Sequence, residues 1–174
     1  ERLYVLRSEK NLGFSGGFNL GSHYLQSKGT TSQCFLNSDI LVSGESLRLI
    51  ADEADAASTP IASFLIVDES GKIDSSIGRR EKSVSTLILE TLGIRGKAFF
   101  NLLVQDGRFW AEVPSGAAFF INTKEWPFQD PLDGSFFLYN EEYLLGFRAR
   151  LIGFKVFQSF NAIAVHRKGK SSAP

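Results

Sequence analysis

The sequence of 174 residues has one cysteine, no methionine and two histidines. Its single cysteine, Cys34, excludes a disulfide framework within the chain and any zinc site built from several thiolates. Even the longest apolar runs, of which residues 117–121 are typical, are short. A membrane-spanning helix needs ~20 apolar residues. Basic and acidic residues balance at 19 each. The chain therefore lacks the basic surplus with which proteins bind nucleic acid through bulk charge.

What is present is typical of a soluble globular protein, with 43% hydrophobic and 22% charged residues. We expect one domain over residues 1–174, because a chain of this length buries about 70% of its extended surface. The sequence begins at Glu1 without a methionine or a signal-like apolar segment. We therefore expect it to be a fragment of a longer chain.

The pattern of apolar residues predicts an α/β protein with a mixed, mainly parallel sheet flanked by helices, because strands and helices alternate early in the chain. The later strands need not be parallel. Apolar runs bounded by turn residues predict strands at residues 3–6, 34–36, 61–67, 109–113, 117–121, 154–157 and 163–165. Helical periodicity predicts helices at residues 18–28, 47–57, 84–92 and 141–152, the last with Asn140 as its N-cap. Residues 75–82 are expected to form an exposed loop and residues 167–174 a polar tail.

A glycine-rich stretch, residues 11–17, precedes the first predicted helix. Residues 13–17 satisfy the G-x-S-x-G pattern of α/β hydrolases around Ser15, and Asp133 and His166 follow in that fold's order. However, residues 8–11 separate the serine from the preceding strand, and no glycine-rich oxyanion loop comes before it. A glycine loop that opens a helix could instead offer backbone N–H groups to a phosphate or nucleotide. A loop used only for a tight connection is the third interpretation.

Three sets of titratable residues could carry chemistry. Asp39 follows a predicted strand, where ligands sit in open α/β sheets, and could hold a hard cation, or could simply form a turn. Glu141 and Glu142 begin a helix, and since neighbouring helical residues point about 100° apart, one could act as a general base in a cleft. Both could also merely stabilise the helix dipole. His166 ends a strand before basic residues and could bind a metal or a phosphate, or form an ordinary hydrogen bond.

In their order along the chain, these stretches resemble family 2 glycosyltransferases, particularly the bacterial rhamnosyltransferase-like branch. Residues 11–21 (NLGFSGGFNLG) are similar to N-x-G-F-x-G-G-x-N-x-G, and residues 36–39 (LNSD) to that branch's L-N-P-D version of the D-x-D metal motif. Residues 115–118 (SGAA) resemble S-G-A-x, and residues 132–142 (LDGSFFLYNEE) resemble F-D-E-x-F-F-x-Y-x-E-D. Arg148 and Gly153 match the following R-x-x-x-x-G, and residues 165–171 are similar to V-H-x-x-G-x-S.

This resemblance implies a GT-A fold and transfer of a sugar, with inversion, from a nucleotide-diphosphate donor to an acceptor hydroxyl. It implies a divalent cofactor, Mg²⁺ or Mn²⁺, that offsets charge on the departing nucleotide diphosphate. By position, Glu142 occupies the base slot with Glu141 beside it, and Asp39 the metal-carboxylate slot. His166 would bind the metal or the diphosphate. The residues implied to contact the nucleotide sugar are Asn11, Gly13, Asn19, Asp39, Ser115 and Gly116.

The resemblance also implies partners and a location. The expected acceptor is a glycan or lipid-linked molecule of a bacterial surface polysaccharide, and no nucleic acid is expected. We expect a cytoplasmic protein and leave open peripheral association with the inner face of the plasma membrane. The family begins with a strand–helix–strand unit that this sequence lacks, so the edge beside residues 3–6 would be exposed and could lead to oligomers.

Four positions depart from the family pattern. Asn37 replaces the first acid of D-x-D, Glu142 replaces an aspartate base, Gly134 replaces an acid, and Leu144 replaces an aspartate two residues past the base. These departures keep a second hypothesis open, in which the chain is a non-catalytic relative that binds a sugar nucleotide or a glycan.

Overall fold

A computed structural model describes residues 3–74, 103–135 and 141–167. The elements in chain order are α1 (Gly13–Ser27), β1 (Ser32–Leu36), β2 (Ile40–Val42), α2 (Gly44–Ala56), β3 (Ile61–Val67), β4 (Leu103–Gln105), β5 (Arg108–Ala111), β6 (Ala118–Asn122), α3 (Glu141–Leu151) and β7 (Val156–His166). The loop predicted at residues 75–82, the helix predicted at 84–92, the N-cap Asn140 and the tail from residue 168 lie outside the described residues.

Within the described residues, the strands form one mixed sheet of seven strands in the order β1-β6-β3-β7-β5-β4, with β2 also paired to β7. This confirms the α/β class and the mixed sheet. The prediction of a mainly parallel sheet is wrong: among the described pairings, only β3 with β7 is parallel. The reason is that β6 enters between β1 and β3, and β5 beside β7, each in the opposite direction. Pairings between distant segments leave no trace in local periodicity.

Two other predictions at the start of the chain are corrected. Residues 3–6 form no strand, and Leu3 and Val5 are 91% and 74% exposed. Within the described ranges no strand pairs with them, and the segment touches α1 through the rings of Tyr4 and Tyr24. Helix α1 begins at Gly13 rather than at residue 18, so the glycine-rich stretch forms its first turns.

Side chains alternate between the two faces of a strand, so both faces of the sheet carry apolar side chains. Helices pack against each of them. Helix α2 packs Ile50 and Ala54 onto one face, against residues such as Phe64 and Phe120. Helices α1 and α3 cover the other face, where the buried and partly buried apolar residues include Phe14, Phe18, Phe35, Phe119, Ile121, Leu145 and Ala149. No helix in the described part of the chain is long and apolar enough to cross a membrane.

One end of the sheet collects the segments that the sequence singled out. Leu36 at the end of β1 pairs with Ala118 at the start of β6. Val67 at the end of β3 lies beside Val165 near the end of β7. We call this end, which carries the carboxyl ends of β1, β3 and β7 and the start of β6, the carboxyl edge.

Candidate functional site

Asp39 and His166 meet at the carboxyl edge. The chain turns after β1 and enters β2, whose first residue, Ile40, pairs with His166 at the end of β7. The Arg167 N–H donates to the carbonyl of Asp39 over 2.9 Å, which fixes the turn against β7. As a result, Oδ2 of Asp39 lies 3.2 Å from Nε2 of His166, and the two side chains are only 28% and 18% exposed. These residues, predicted separately from the sequence, therefore form one pair.

A second carboxylate lies on the other side of the imidazole. Oδ2 of Asp74 is 3.8 Å from Nδ1 of His166, and the Asp74 side chain is only 4% exposed. The sequence analysis did not single out Asp74, because a polar residue after the turn at Gly71 is typical of a surface loop. Within the described residues, no group of three or more histidine, cysteine and acidic side chains is arranged to hold a metal ion.

A cavity of about 470 Å³ opens between α1 and the turn that carries Asp39. Helix α1 contributes the backbone of its second turn and two aromatic rings to the wall, and the turn contributes polar groups. The lining residues are Phe14, Gly17, Phe18, Leu36, Asn37, Ser38 and Asp39. The cavity therefore joins the glycine-rich stretch to the aspartate at the carboxyl edge.

The turn before β6 brings Ser115 and Gly116 to Glu142 of α3. The Ser115 N–H donates to Oγ of Ser63 in β3 over 3.0 Å, and Ser115 is 1% exposed. A Cβ on Gly116 would lie 3.6 Å from Oε2 of Glu142, so the carboxylate packs directly beside this glycine. One turn further along α3 the approach is closer, because a Cβ on Gly146 would clash with the carbonyl oxygen of Glu112.

The two adjacent acids of α3 have different surroundings, as their angular separation predicted. Glu142 is half-buried beside Gly116, whereas Glu141 is only 5% exposed and its Oε1 has no hydrogen-bond partner among the described residues. Of the two carboxylates, that of Glu142 is therefore the more accessible.

A backbone hydrogen bond joins the two halves of the site. The Asn37 N–H donates to the carbonyl of Ala117 over 3.0 Å. Asn37 lies two residues before Asp39 along the chain, and Ala117 directly follows Gly116. The pair Asp39–His166 and the pair Gly116–Glu142 thus border the same stretch of the carboxyl edge.

The residues in and just before α1 that were predicted to contact the nucleotide sugar lie in two different places. Oδ1 of Asn11 accepts a hydrogen bond from the Gly13 N–H over 3.0 Å at the helix start. Both residues line a second cavity, of about 450 Å³, between α1 and the preceding segment. Asn19 is 7% exposed, and its amide makes two hydrogen bonds with the backbone of Leu132, of 2.8 and 3.0 Å. In this structure Asn19 holds the segment before α3 against α1.

The structure does not support Ser15 as a hydrolase nucleophile. Ser15 is 0% exposed inside α1, and within the described ranges its hydroxyl has no hydrogen-bond partner that could act as a base. A nucleophile needs both access to substrate and a base within hydrogen-bond reach. Cys34 is equally unsuited, since burial raises the pKa of its thiol to about 12.

An ion pair secures the segment between β6 and α3. Arg148 of α3 donates to Oδ2 of Asp133 over 2.7 Å and lies over the ring of Phe128. Hydrogen bonds from the hydroxyl and backbone N–H of Ser135, and the charge of Arg148, lower the pKa of Asp133. This pair therefore stabilises the segment that leads to Glu142.

Comparison with models of known protein families finds no match for this chain. Comparison with proteins of curated function finds no match either.

Proposed function

We propose that the chain transfers a sugar, with inversion, from a nucleotide-diphosphate donor to an acceptor hydroxyl, in the manner of family 2 glycosyltransferases. One observation carries the proposal: the Asp39–His166 pair and the Glu142–Gly116 contact lie at the same edge of the sheet, joined by the Asn37–Ala117 hydrogen bond. These are the positions to which the family resemblance assigns the metal ligands and the base. The sequence motifs and the geometry therefore support the same reaction.

Asp39 and His166 would hold the divalent cation. The residues present fit this role, because a carboxylate oxygen and an imidazole nitrogen that lie 3.2 Å apart could both face one ion. When bound, Mg²⁺ or Mn²⁺ would neutralise the negative charge that develops on the leaving nucleotide diphosphate. Asn37 stands where the family motif has its first acid. More of the ligands of the cation would therefore come from the phosphates of the donor.

The start of α1 would receive the nucleotide. The first-turn N–H groups of a helix have no partners within the helix and attract anions. The N-cap of α1, Leu12, makes no side-chain cap hydrogen bond. Asn11, Gly13 and Gly17 border cavities on this helix end, and Gly17 lines both of them. A diphosphate that reaches from the start of α1 to Asp39 would cross the first cavity.

Glu142 would deprotonate the acceptor hydroxyl. Its carboxylate borders Gly116, in the turn to which the resemblance assigns contact with the sugar. The proton of the attacking hydroxyl would pass to Glu142 while the hydroxyl oxygen bonds to the anomeric carbon and the bond to the nucleotide diphosphate breaks. Glu141, turned inward, would support the helix start. A polysaccharide or glycolipid acceptor of a bacterial surface would place the activity in the cytoplasm or at the inner membrane face.

The substitution Glu142→Gln tests the proposal. We expect sugar transfer to fall by ~10²–10⁴-fold, because the amide cannot accept the proton. Binding of UDP, GDP or dTDP in the presence of Mn²⁺, measured by calorimetry, should stay within about twofold of the original chain. Transfer is measured as nucleoside diphosphate released with a panel of donor sugars. The matched control is Glu45→Gln, which removes an exposed first-turn acid from α2 instead.

Two results would contradict the proposal. Full transfer by the Glu142→Gln variant would exclude that residue as the base. Cation-dependent binding of a nucleoside diphosphate without transfer by the original chain would favour the non-catalytic relative, which the departures at Asn37 and Leu144 suggest. If no nucleoside diphosphate binds, both hypotheses fail together.

A further inference from the structure

Asp74 is brought to the site by a tight turn after β3. The Asp68 N–H donates to the carbonyl of Lys72 over 2.9 Å, and Gly71 occupies the turn with a positive φ of 80°. Ile73 then forms a β-bridge with Val67, and the Asp74 N–H donates to the carbonyl of Ile66 over 2.9 Å. The backbone of Asp74 is therefore fixed against the end of β3, beside the end of β7.

The side chain of Asp74 is buried beside the imidazole of His166. Its side chain is 4% exposed, and a buried carboxylate is costly unless hydrogen-bond donors or opposite charges face it. The imidazole of His166 is one such group, with Nδ1 at 3.8 Å from Oδ2. Nδ1 is itself buried and has no hydrogen-bond partner in the described part of the chain. A movement of well under 1 Å would bring the two atoms within hydrogen-bond distance.

The two carboxylates approach opposite nitrogens of one ring. Asp39 lies 3.2 Å from Nε2, whereas Asp74 faces Nδ1. A cation bound through Nε2 and Asp39 would therefore have Asp74 behind the imidazole and outside its own ligands. Histidines that bind metals generally donate their other N–H to a carboxylate or carbonyl, which fixes the tautomer and the ring orientation.

We propose that Asp74 is a positioning residue for His166: it accepts the Nδ1–H of the imidazole and so directs the unprotonated Nε2 toward the cation shared with Asp39. This inference rests on the proposed function only for the identity of the cation site. It predicts that Asp74 sets the affinity for the cation without touching it.

Titration of the full chain with Mn²⁺ alone, with free Mn²⁺ read by electron paramagnetic resonance, tests this role. We expect Asp74→Ala to weaken Mn²⁺ binding by ~10–100-fold, as substitution of such outer partners does elsewhere. Asp74→Asn should weaken it less, because the amide oxygen can still accept the Nδ1–H. The control Glu69→Gln removes the same charge from the same turn, but Glu69 contacts Arg167 rather than His166. It should bind Mn²⁺ within about twofold of the original chain.

The tautomer of His166 gives a second measurement, which remains informative if Asp74→Ala does not fold. With Mg²⁺ bound, nitrogen-15 spectra of His166 should show the proton on Nδ1 in the original chain, and a mixture of tautomers in Asp74→Asn. Unchanged Mn²⁺ affinity in both Asp74 variants, together with an unchanged tautomer, would overturn the positioning role while leaving the cation site intact. Absence of Mn²⁺ binding by the original chain would overturn the cation site and this inference, although nucleoside diphosphate binding and transfer would still test the proposed function separately.

Discussion

Helices α1 and α2 cover opposite faces of the same sheet but are built differently. Helix α2 begins at a cap, where the side chain of Ser43 accepts a hydrogen bond from the Ser46 N–H over 3.0 Å, and it buries the apolar side chain of Ile50. Helix α1 begins after Leu12, whose side chain makes no cap hydrogen bond, and has no acid in its first turn. Its first N–H, that of Gly13, donates to Oδ1 of Asn11 instead. The buried residues of α1 are all polar: Ser15, Asn19 and Ser22.

This difference bears on the stability of the two helices. Several glycines reduce the stability of a helix. The start of α1 also borders the cavity that reaches Asp39. Among the described residues, buried polar atoms without hydrogen-bond partners lie on its face of the sheet, at Ser15 and Glu141. We infer that α2 contributes more packing energy than α1.

The largest expected effect comes from truncating the core of α2. Ile50 is 0% exposed, so Ile50→Ala should lower the free energy of unfolding by about 2–5 kcal/mol. Leu20→Ala on α1 removes a side chain that is 37% exposed and should cost no more than about 1 kcal/mol. Urea unfolding followed by circular dichroism measures both. Equal losses in the two variants would show that the helices contribute alike.

The next largest effect concerns the hydrogen bonds between Asn19 of α1 and the backbone of Leu132. Asn19→Ala leaves the buried N–H and carbonyl of Leu132 without partners and should cost about 2–3 kcal/mol. The control is Gln26→Ala, because the Gln26 side chain donates a hydrogen bond to Ser22 within α1 itself. A loss below about 0.5 kcal/mol for Asn19→Ala would mean that α1 holds the segment before α3 by apolar contacts alone.

The same contrast explains which parts of the fold could be predicted from the sequence. Strand β3, an apolar run between Pro60 and Asp68 that is interrupted by Ser63, was predicted with its observed bounds. The start of α1 was missed because glycines and a buried serine are typical of a loop, and only packing against the sheet makes them helical. Strand β7 was predicted as two strands because residues 159–162 are mostly polar or small. Strand β7 nevertheless continues through this segment, where its register with β3 shifts between Ser63 and Leu65.

The candidate site divides in the same way. Asp39, Glu142 and His166 could be found because each follows or begins an element at a motif position. Their mutual arrangement could not, because it depends on β6 entering the sheet beside β1 and on β2 pairing with β7. Asp74 gave no local signal at all. Its significance comes from burial and from the 3.8 Å distance to His166, which only the fold reveals.

A smaller effect, of opposite sign, is expected from the glycines of α1. A Cβ on Gly17 or Gly21 meets no atom within 4 Å, so alanine at either position should raise the free energy of unfolding by about 0.5–1 kcal/mol. A Cβ on Gly16 would lie 2.8 Å from Cβ of Leu12, so Gly16→Ala should give no gain or a loss. Thermal melting of the three variants measures the contrast. Stabilisation by Gly16→Ala equal to that by Gly17→Ala would contradict the close approach of Leu12.

The smallest expected effect is the pH dependence at Asp133, on the segment that α1 and α3 hold. Its folded-state pKa is lowered first by hydrogen bonds from Ser135 and then by Arg148, so the folded protein binds this proton more weakly than the unfolded chain. The resulting stabilisation is complete above the unfolded value of about 3.9 and is lost as the pH falls through the lower folded value. The unfolding free energies of the original chain and Asp133→Asn should therefore converge on acidification.

Carboxyl carbon-13 spectra should also show the pKa of Asp133 rising toward its usual value in Ser135→Ala, and by less in Arg148→Met. A stability difference that stays constant from neutral pH to pH ~2 would show that this carboxylate gains nothing from its partners in the folded state.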